Sequence, residues 1–115
     1  MSDEKSLSID IEPYDGGVVL RPHGNVDLAS SPDLRTALRE AIDRKPDKTI
    51  IELSGVAYMD SSGVATLVEA LQLARRGGGQ LVLCSLSERV HSIFQIARLD
   101  SIFTIVADLD AALKA

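Results

Sequence analysis

The stretch from Lys48 to Cys84 most restricts what this chain can fold into, because two short apolar runs enclose one long amphipathic run. Lys48–Leu53 carries Ile50, Ile51 and Leu53, and Leu81-Val82-Leu83-Cys84 is apolar throughout. Short continuous apolar runs of this kind mark strands buried on both faces. Between them Val64, Leu67, Val68, Leu71 and Ala74 step along one face of a helix, and Gly77-Gly78-Gly79 stops it. A strand, a helix and a second inner strand in that order imply a right-handed crossover between parallel strands.

The rest of the chain extends the same plan. Leu7, Ile9 and Ile11 alternate with Ser8, Asp10 and Glu12, as in a strand with one wet face. Asp15-Gly16-Gly17 reads as a turn into an apolar strand at Val18–Leu20, so these segments form an antiparallel hairpin. Gly24-Asn25-Val26-Asp27 leads out into a loop. Ser31-Pro32 starts a helix, with Ser31 as cap and Leu34, Leu38, Ala41 and Ile42 as its apolar stripe, and Pro46 ends it. Ser87 caps a further helix with Val90, Ile93, Phe94 and Ala97 facing inward. Phe103-Thr104-Ile105-Val106 is a last short strand, and a C-terminal helix begins near Asp108. The expected fold is α/β: a mixed four- to five-stranded sheet, N-terminal hairpin then parallel strands, packed with about four helices. Residues 1–115 are read as a single domain, a length that buries roughly two-thirds of its unfolded surface.

Composition narrows the function. A net charge of -5 repels phosphate backbones, and with no Trp, two Phe and two Tyr there are few platforms for stacked bases, so nucleic acid is not an expected partner. Met1-Ser2-Asp3-Glu4-Lys5 lacks the basic and apolar regions of a signal peptide, and no apolar run reaches membrane-spanning length, so a cytoplasmic location without direct membrane insertion is expected. Cys84 has no second cysteine to pair with and reads as a small core hydrophobe. His23 and His91 are the only histidines, each read as structural, so no metal site and no cofactor are expected. Gly77-Gly78-Gly79 follows a helix and precedes a strand, the reverse of a phosphate-cradling loop. Arg75-Arg76 before it suits the negative helix end as a solvated pair.

One segment carries more chemistry than the rest. Asp60, Ser61 and Ser62 converge on a helix N-terminus, where unpaired backbone NH groups and the helix dipole favour negative charge. Local chemistry alone favours ordinary capping for these residues, with phosphate carriage as the alternative. Nucleophilic catalysis is disfavoured because Ser61 lacks the glycine two residues earlier that a nucleophile elbow requires, and neither histidine lies in a catalytic setting. The chain is therefore not expected to be an enzyme. Asp27, before Leu28-Ala29-Ser30, reads from position as a turn or cap residue. Gly63 reads as a packing residue, or as one that lets a backbone approach closely.

The wider pattern is Val56-Ala57-Tyr58-Met59-Asp60-Ser61-Ser62-Gly63-Val64-Ala65, set between an Ile-Ile-Glu-Leu strand and a helix that ends in glycines before Leu-Val-Leu-Cys. Together with Gly24-Asn25-Val26-Asp27, Phe94 and Ala97-Arg98-Leu99, it resembles the STAS family, in particular the free-standing anti-sigma factor antagonists. The resemblance spans nearly the whole chain. It implies that Ser61 is a phosphorylation site, with Ser62 a cap or packing residue. It also implies a partner-binding surface at Asp27, Asp60, Ser61, Ser62 and Gly63. The implied partners are an anti-sigma factor serine kinase and a serine phosphatase. The implied function is a partner switch in transcription regulation, in which the unphosphorylated chain sequesters the anti-sigma factor and frees a sigma factor. The alternative use of the same fold is as a cytoplasmic accessory subunit of an ABC complex that moves phospholipids.

Overall fold

The computed structural model describes residues 7–115. Met1–Lys5, read above for the absence of a leader, lie outside the described residues. Five strands form one sheet in the order β1-β2-β3-β4-β5: β1 (Ser8–Tyr14), β2 (Gly17–His23), β3 (Lys48–Glu52), β4 (Gln80–Cys84) and β5 (Thr104–Val106). The hairpin β1–β2 is antiparallel and every later pairing is parallel. Four helices connect them: α1 (Ser31–Asp43), α2 (Ser61–Arg76), α3 (Glu88–Ile96) and α4 (Leu109–Lys114). The mixed sheet, the hairpin and the four helices agree with the expected α/β plan.

The hairpin turns at Asp15-Gly16, with Tyr14 opposite Gly17 and Gly16 at φ +88°. That left-handed backbone is open to glycine without steric cost. Alternation along the inner strands then sorts their side chains to two faces. Leu20, Ile51, Leu81 and Leu83 meet the apolar stripes of α1, α2 and α3, whereas Val19, Ile50, Val82 and Cys84 meet Ala112 of α4. Phe94 of α3 packs edge-on against Phe103, with ring centroids 5.3 Å apart and planes at 86°. On the outer flank of the three-helix layer, Glu69 of α2 accepts from Arg35 at 3.0 Å and also pairs with Arg39. The hydrogen bond from Arg39 is the main cause holding the Glu69 carboxyl below its ordinary range.

Four local expectations are corrected. Ile11 is 50% exposed, because β1 is the sheet edge and its wet-face alternation fades there. Ser31 does not cap α1: it lies inside the helix and is buried, while Ser30 occupies the cap position without a side-chain capping bond. Ala97 is exposed and outside α3, whose buried residues are Val90 and Phe94, with Ile93 half-buried. Arg75 is not purely solvated, since it donates to the Ile102 carbonyl at 3.3 Å.

Candidate functional site

Parallel pairing of β2 and β3 brings their following loops together at the carboxyl end of the sheet, the usual place for function in such folds. The two loops are bonded to each other. Gly24 N donates to Gly55 O, Val26 N to Tyr58 O and Asp60 N to Val26 O, each at 3.0 Å. Val26, Val56 and Met59 are buried beneath, and Val26 forms a bridge with Met59. A short ladder over an apolar floor thus fixes where α2 begins.

Asp60 is the N-cap of α2, and its Oδ1 accepts from Ser62 N at 2.9 Å and Gly63 N at 3.3 Å. Two free NH groups of the first turn are thereby satisfied by the aspartate itself. The consequence falls on Ser61. Its side chain is exposed, and among the described residues its hydroxyl has no hydrogen-bond partner. Of the alternatives that the sequence leaves open here, the capping bonds fall to Asp60, and the Ser61 hydroxyl is left exposed. Ser62 is half-buried, and its carbonyl accepts from Thr66 Oγ1 at 2.9 Å.

Gly63 lies under the surface. A Cβ there would stand 2.5 Å from Met59 Cγ and 2.7 Å from Val26 Cγ1, so this glycine lets α2 sit directly on the two-loop floor. Its packing reading is the one realised in the fold. Asp27 is half-buried and organises its own loop: Oδ1 accepts from Ala29 N at 3.1 Å and Ser30 N at 3.0 Å, and its carbonyl accepts from Ser31 N at 2.7 Å. The turn-or-cap reading of Asp27 describes these bonds. Because Val26 is bonded to Asp60, Asp27 stands beside the entrance of α2, and Asp27, Asp60, Ser61 and Ser62 come together in one region.

Two further exposed side chains lie on the same pair of loops. Leu28 is 76% exposed and Tyr58 is 40% exposed, one on each of the bonded loops. Sequence reasoning passed over both. The available signal was an apolar residue inside a loop with no periodic partner: such a residue has no core stripe to join, and a protein contact is one use for it.

Cys84 and His23 stand apart from the α2 entrance, His23 at the foot of the bonded loops beside Gly55. Cys84 is buried, which pushes its thiol up from the ordinary range, and His23 sits on the hairpin with Nε2 3.1 Å from Asp10 Oδ2. Among the described residues no group of three or more His, Cys, Asp and Glu side chains is placed to hold a metal ion. Likewise, among them no helix is long and apolar enough to cross a membrane.

Comparison with known proteins gives a consistent picture. A family model described as the STAS domain matches residues 8–112. The anti-sigma-B factor antagonist of Bacillus subtilis is 29% identical over 109 residues, covering 95% of this chain and 99% of its own. An anti-sigma factor antagonist from Mycobacterium paratuberculosis superimposes with a TM-score of 0.88 at 24% identity, covering 96% of this chain and 93% of that one. The Bacillus cell fate determinant SpoIIAA in its phosphorylated form superimposes with a TM-score of 0.72 at 21% identity, covering 93% and 98%.

Proposed function

The chain belongs to the STAS domain family, and from that premise we propose that it is an anti-sigma factor antagonist whose partner binding is switched by phosphorylation of Ser61. Residues 1–115 act in this reading as one STAS domain. The unmodified chain docks an anti-sigma factor that is also a serine kinase over the entrance of α2, so that a sigma factor is left free. Asp27, Asp60, Ser61 and Ser62 border the contact, with Leu28 and Tyr58 as its apolar part and Gly63 supporting it from below. The observation that carries the reading is the division of labour at α2: Asp60 takes the capping bonds and Ser61 presents an exposed, unbonded hydroxyl. The relatives' name as antagonists favours this role over an accessory role in phospholipid transport.

Switching follows from electrostatics and needs no rearrangement of the fold. The partner kinase transfers the γ-phosphoryl group of ATP to Ser61 Oγ; the Oγ–P bond forms, the bond between γ-phosphorus and the bridging oxygen breaks, and ADP and the hydroxyl proton leave. No hydrogen bond of the Ser61 side chain is lost in the process. The phosphoserine carries about −1.5 to −2 charges at neutral pH. Proximity of the α2 N-terminus offsets some of that charge, typically about 0.3–1 kcal/mol. The partner meets a hydrated anion flanked by Asp60 and Asp27 where it had met a neutral hydroxyl, and binding is lost. A serine phosphatase that hydrolyses the ester restores the first state.

Incubation with the kinase-type anti-sigma factor encoded in the same genome and ATP, followed by intact-mass measurement and peptide mapping, tests the assignment. A single phosphate on Ser61 is expected. Phosphate on another residue, or none under conditions where that kinase modifies its own known substrate, overturns it.

A further inference from the structure

The two faces of the sheet are covered very unequally. Three helices lie on one face, while on the other Val19, Ile50, Val82 and Cys84 are covered by a single helix, α4, with Tyr14 and Val106 packed at their margin. At six residues α4 is too short to hold its helical form by itself in water. Its own apolar contribution is small: Ala112 is fully buried, Leu109 is half-buried and Leu113 is 43% exposed. Something besides hydrophobic burial keeps it in place.

That second hold is Lys48, the first residue of β3. Its Nζ donates to Ala112 O at 2.9 Å, Leu113 O at 3.1 Å and Ala115 O at 2.7 Å. An ammonium has three N–H donors, and here each meets a backbone oxygen at the end of α4, one of which, Ala112 O, also accepts from Ala115 N at 3.3 Å. A cation at a helix C-terminus is also favoured by the helix dipole. The opposite end is tied by Asp108, whose Oδ1 accepts from Ala111 N at 2.9 Å. The segment is thus fixed at its two ends and only lightly packed between them.

We propose that α4 is a latched strap: it opens as a local unit while the rest of the domain stays folded, and the Lys48 ammonium is the latch that sets how often the apolar sheet face beneath it is uncovered. Regions with few buried apolar contacts open at lower free energy than the core, and α4 has fewer than α1 or α2. The strap lies across the sheet from α1, α2 and α3, so the inference is independent of the role assigned to Ser61. Cys84, the chain's only cysteine, lies under the strap and is fully buried, which makes its thiol a reporter of opening.

The experiment is alkylation of Cys84 by iodoacetamide in the full chain, followed by mass spectrometry over a range of urea concentrations below the unfolding transition. Local opening predicts that the logarithm of the labelling rate rises with urea along a slope well below the equilibrium unfolding slope, because little surface is exposed. Lys48→Met, which keeps the apolar stem and removes the charge, is expected to label about tenfold faster with the same shallow slope. Should that variant fail to fold, Asp108→Ala at the opposite end carries the test, with labelling expected about fivefold faster. A labelling slope equal to the equilibrium slope would mean that only whole-chain unfolding reaches Cys84, and would overturn the strap. A folded Lys48→Met that labels at the wild-type rate would overturn the latch.

Discussion

The entrances of α1 and α2 are built from the same residue types and end in opposite chemical states. At α2 the aspartate directly precedes the helix, so Asp60 reaches the NH groups of Ser62 and Gly63 and leaves Ser61 exposed. At α1 the aspartate lies three residues before Ser30, and Asp27 Oδ1 spends its bonds on Ala29 and Ser30 within the loop. Ser30 Oγ then accepts from Asp27 N at 3.0 Å and lies 2.8 Å from Asn25 O and 3.1 Å from Asp27 Oδ1, which compete for its single proton. Ser30 and Ser31 are both buried. At α1 neither serine makes a side-chain capping bond and both are held within the loop's own bonds, whereas at α2 the aspartate one residue earlier caps and Ser61 stays exposed.

The largest expected effect lies at the open entrance. Ser61→Asp should weaken binding of the anti-sigma factor by about a hundredfold, or about 2.8 kcal/mol, while Ser61→Ala binds as well as wild type. Titration calorimetry with the purified partner measures both. Equal affinities for the two variants would break the contrast, because charge at Ser61 would then carry no information. Next in size is Gly63→Ala. Alanine is the better helix former by about 1 kcal/mol. Its Cβ would nevertheless press on stiff, buried Val26 and on Met59, and overpacking of this kind costs about 1–3 kcal/mol. A net loss of up to about 2 kcal/mol in a urea denaturation curve is expected. A gain would show that α2 does not rest on the bonded loops as tightly as described.

Much of this was legible in the chain itself, and the exceptions share a cause. The apolar runs at Ile50-Ile51 and Leu81–Cys84 named the inner strands because burial on both faces leaves no polar alternation to confuse them. Asp60-Ser61-Ser62 before an apolar stripe named the α2 entrance, since capping is a local event. Ile11 and Ala97 were misplaced because periodicity reports which face a residue points to, whereas exposure depends on what stands opposite; at the sheet edge and past the end of α3 too little does. Ser31 was misread as a cap because the bonds that bury it come through Asp27, four residues away. Leu28 and Tyr58 lie in loops whose pairing is tertiary, and no local pattern reports it. That Asp60 rather than Ser61 takes the capping bonds is a matter of side-chain geometry that residue types alone leave open.

At the closed entrance, Ser30→Ala tests the other half of the contrast. The substitution keeps the backbone and removes an oxygen that joins Asn25, Asp27 and the start of α1. It leaves Asp27 N and Asn25 O without that partner in a part-buried loop, and a buried polar group left unsatisfied costs about 1–3 kcal/mol. We expect a loss of about 1.5 kcal/mol.

Asp60→Ala removes the capping oxygen at α2 and should cost about 1 kcal/mol, within the usual range for an N-cap. Here the Ser61 hydroxyl becomes relevant to stability for the first time, because the NH groups of Ser62 and Gly63 lose their acceptor. Ser61→Ala in the wild-type background should change stability by less than about 0.5 kcal/mol, as for a surface residue without partners. The double variant separates two cases. If stability losses simply add, the Ser61 oxygen plays no structural part even when the cap is missing, and its exposure serves binding alone. If the second loss is larger in the Asp60→Ala background, Ser61 has swung in as the replacement cap, and phosphorylation of the Asp60→Ala protein should slow because the acceptor oxygen is then engaged. Urea curves of the four proteins, with kinase assays on the two that retain Ser61, decide between these outcomes.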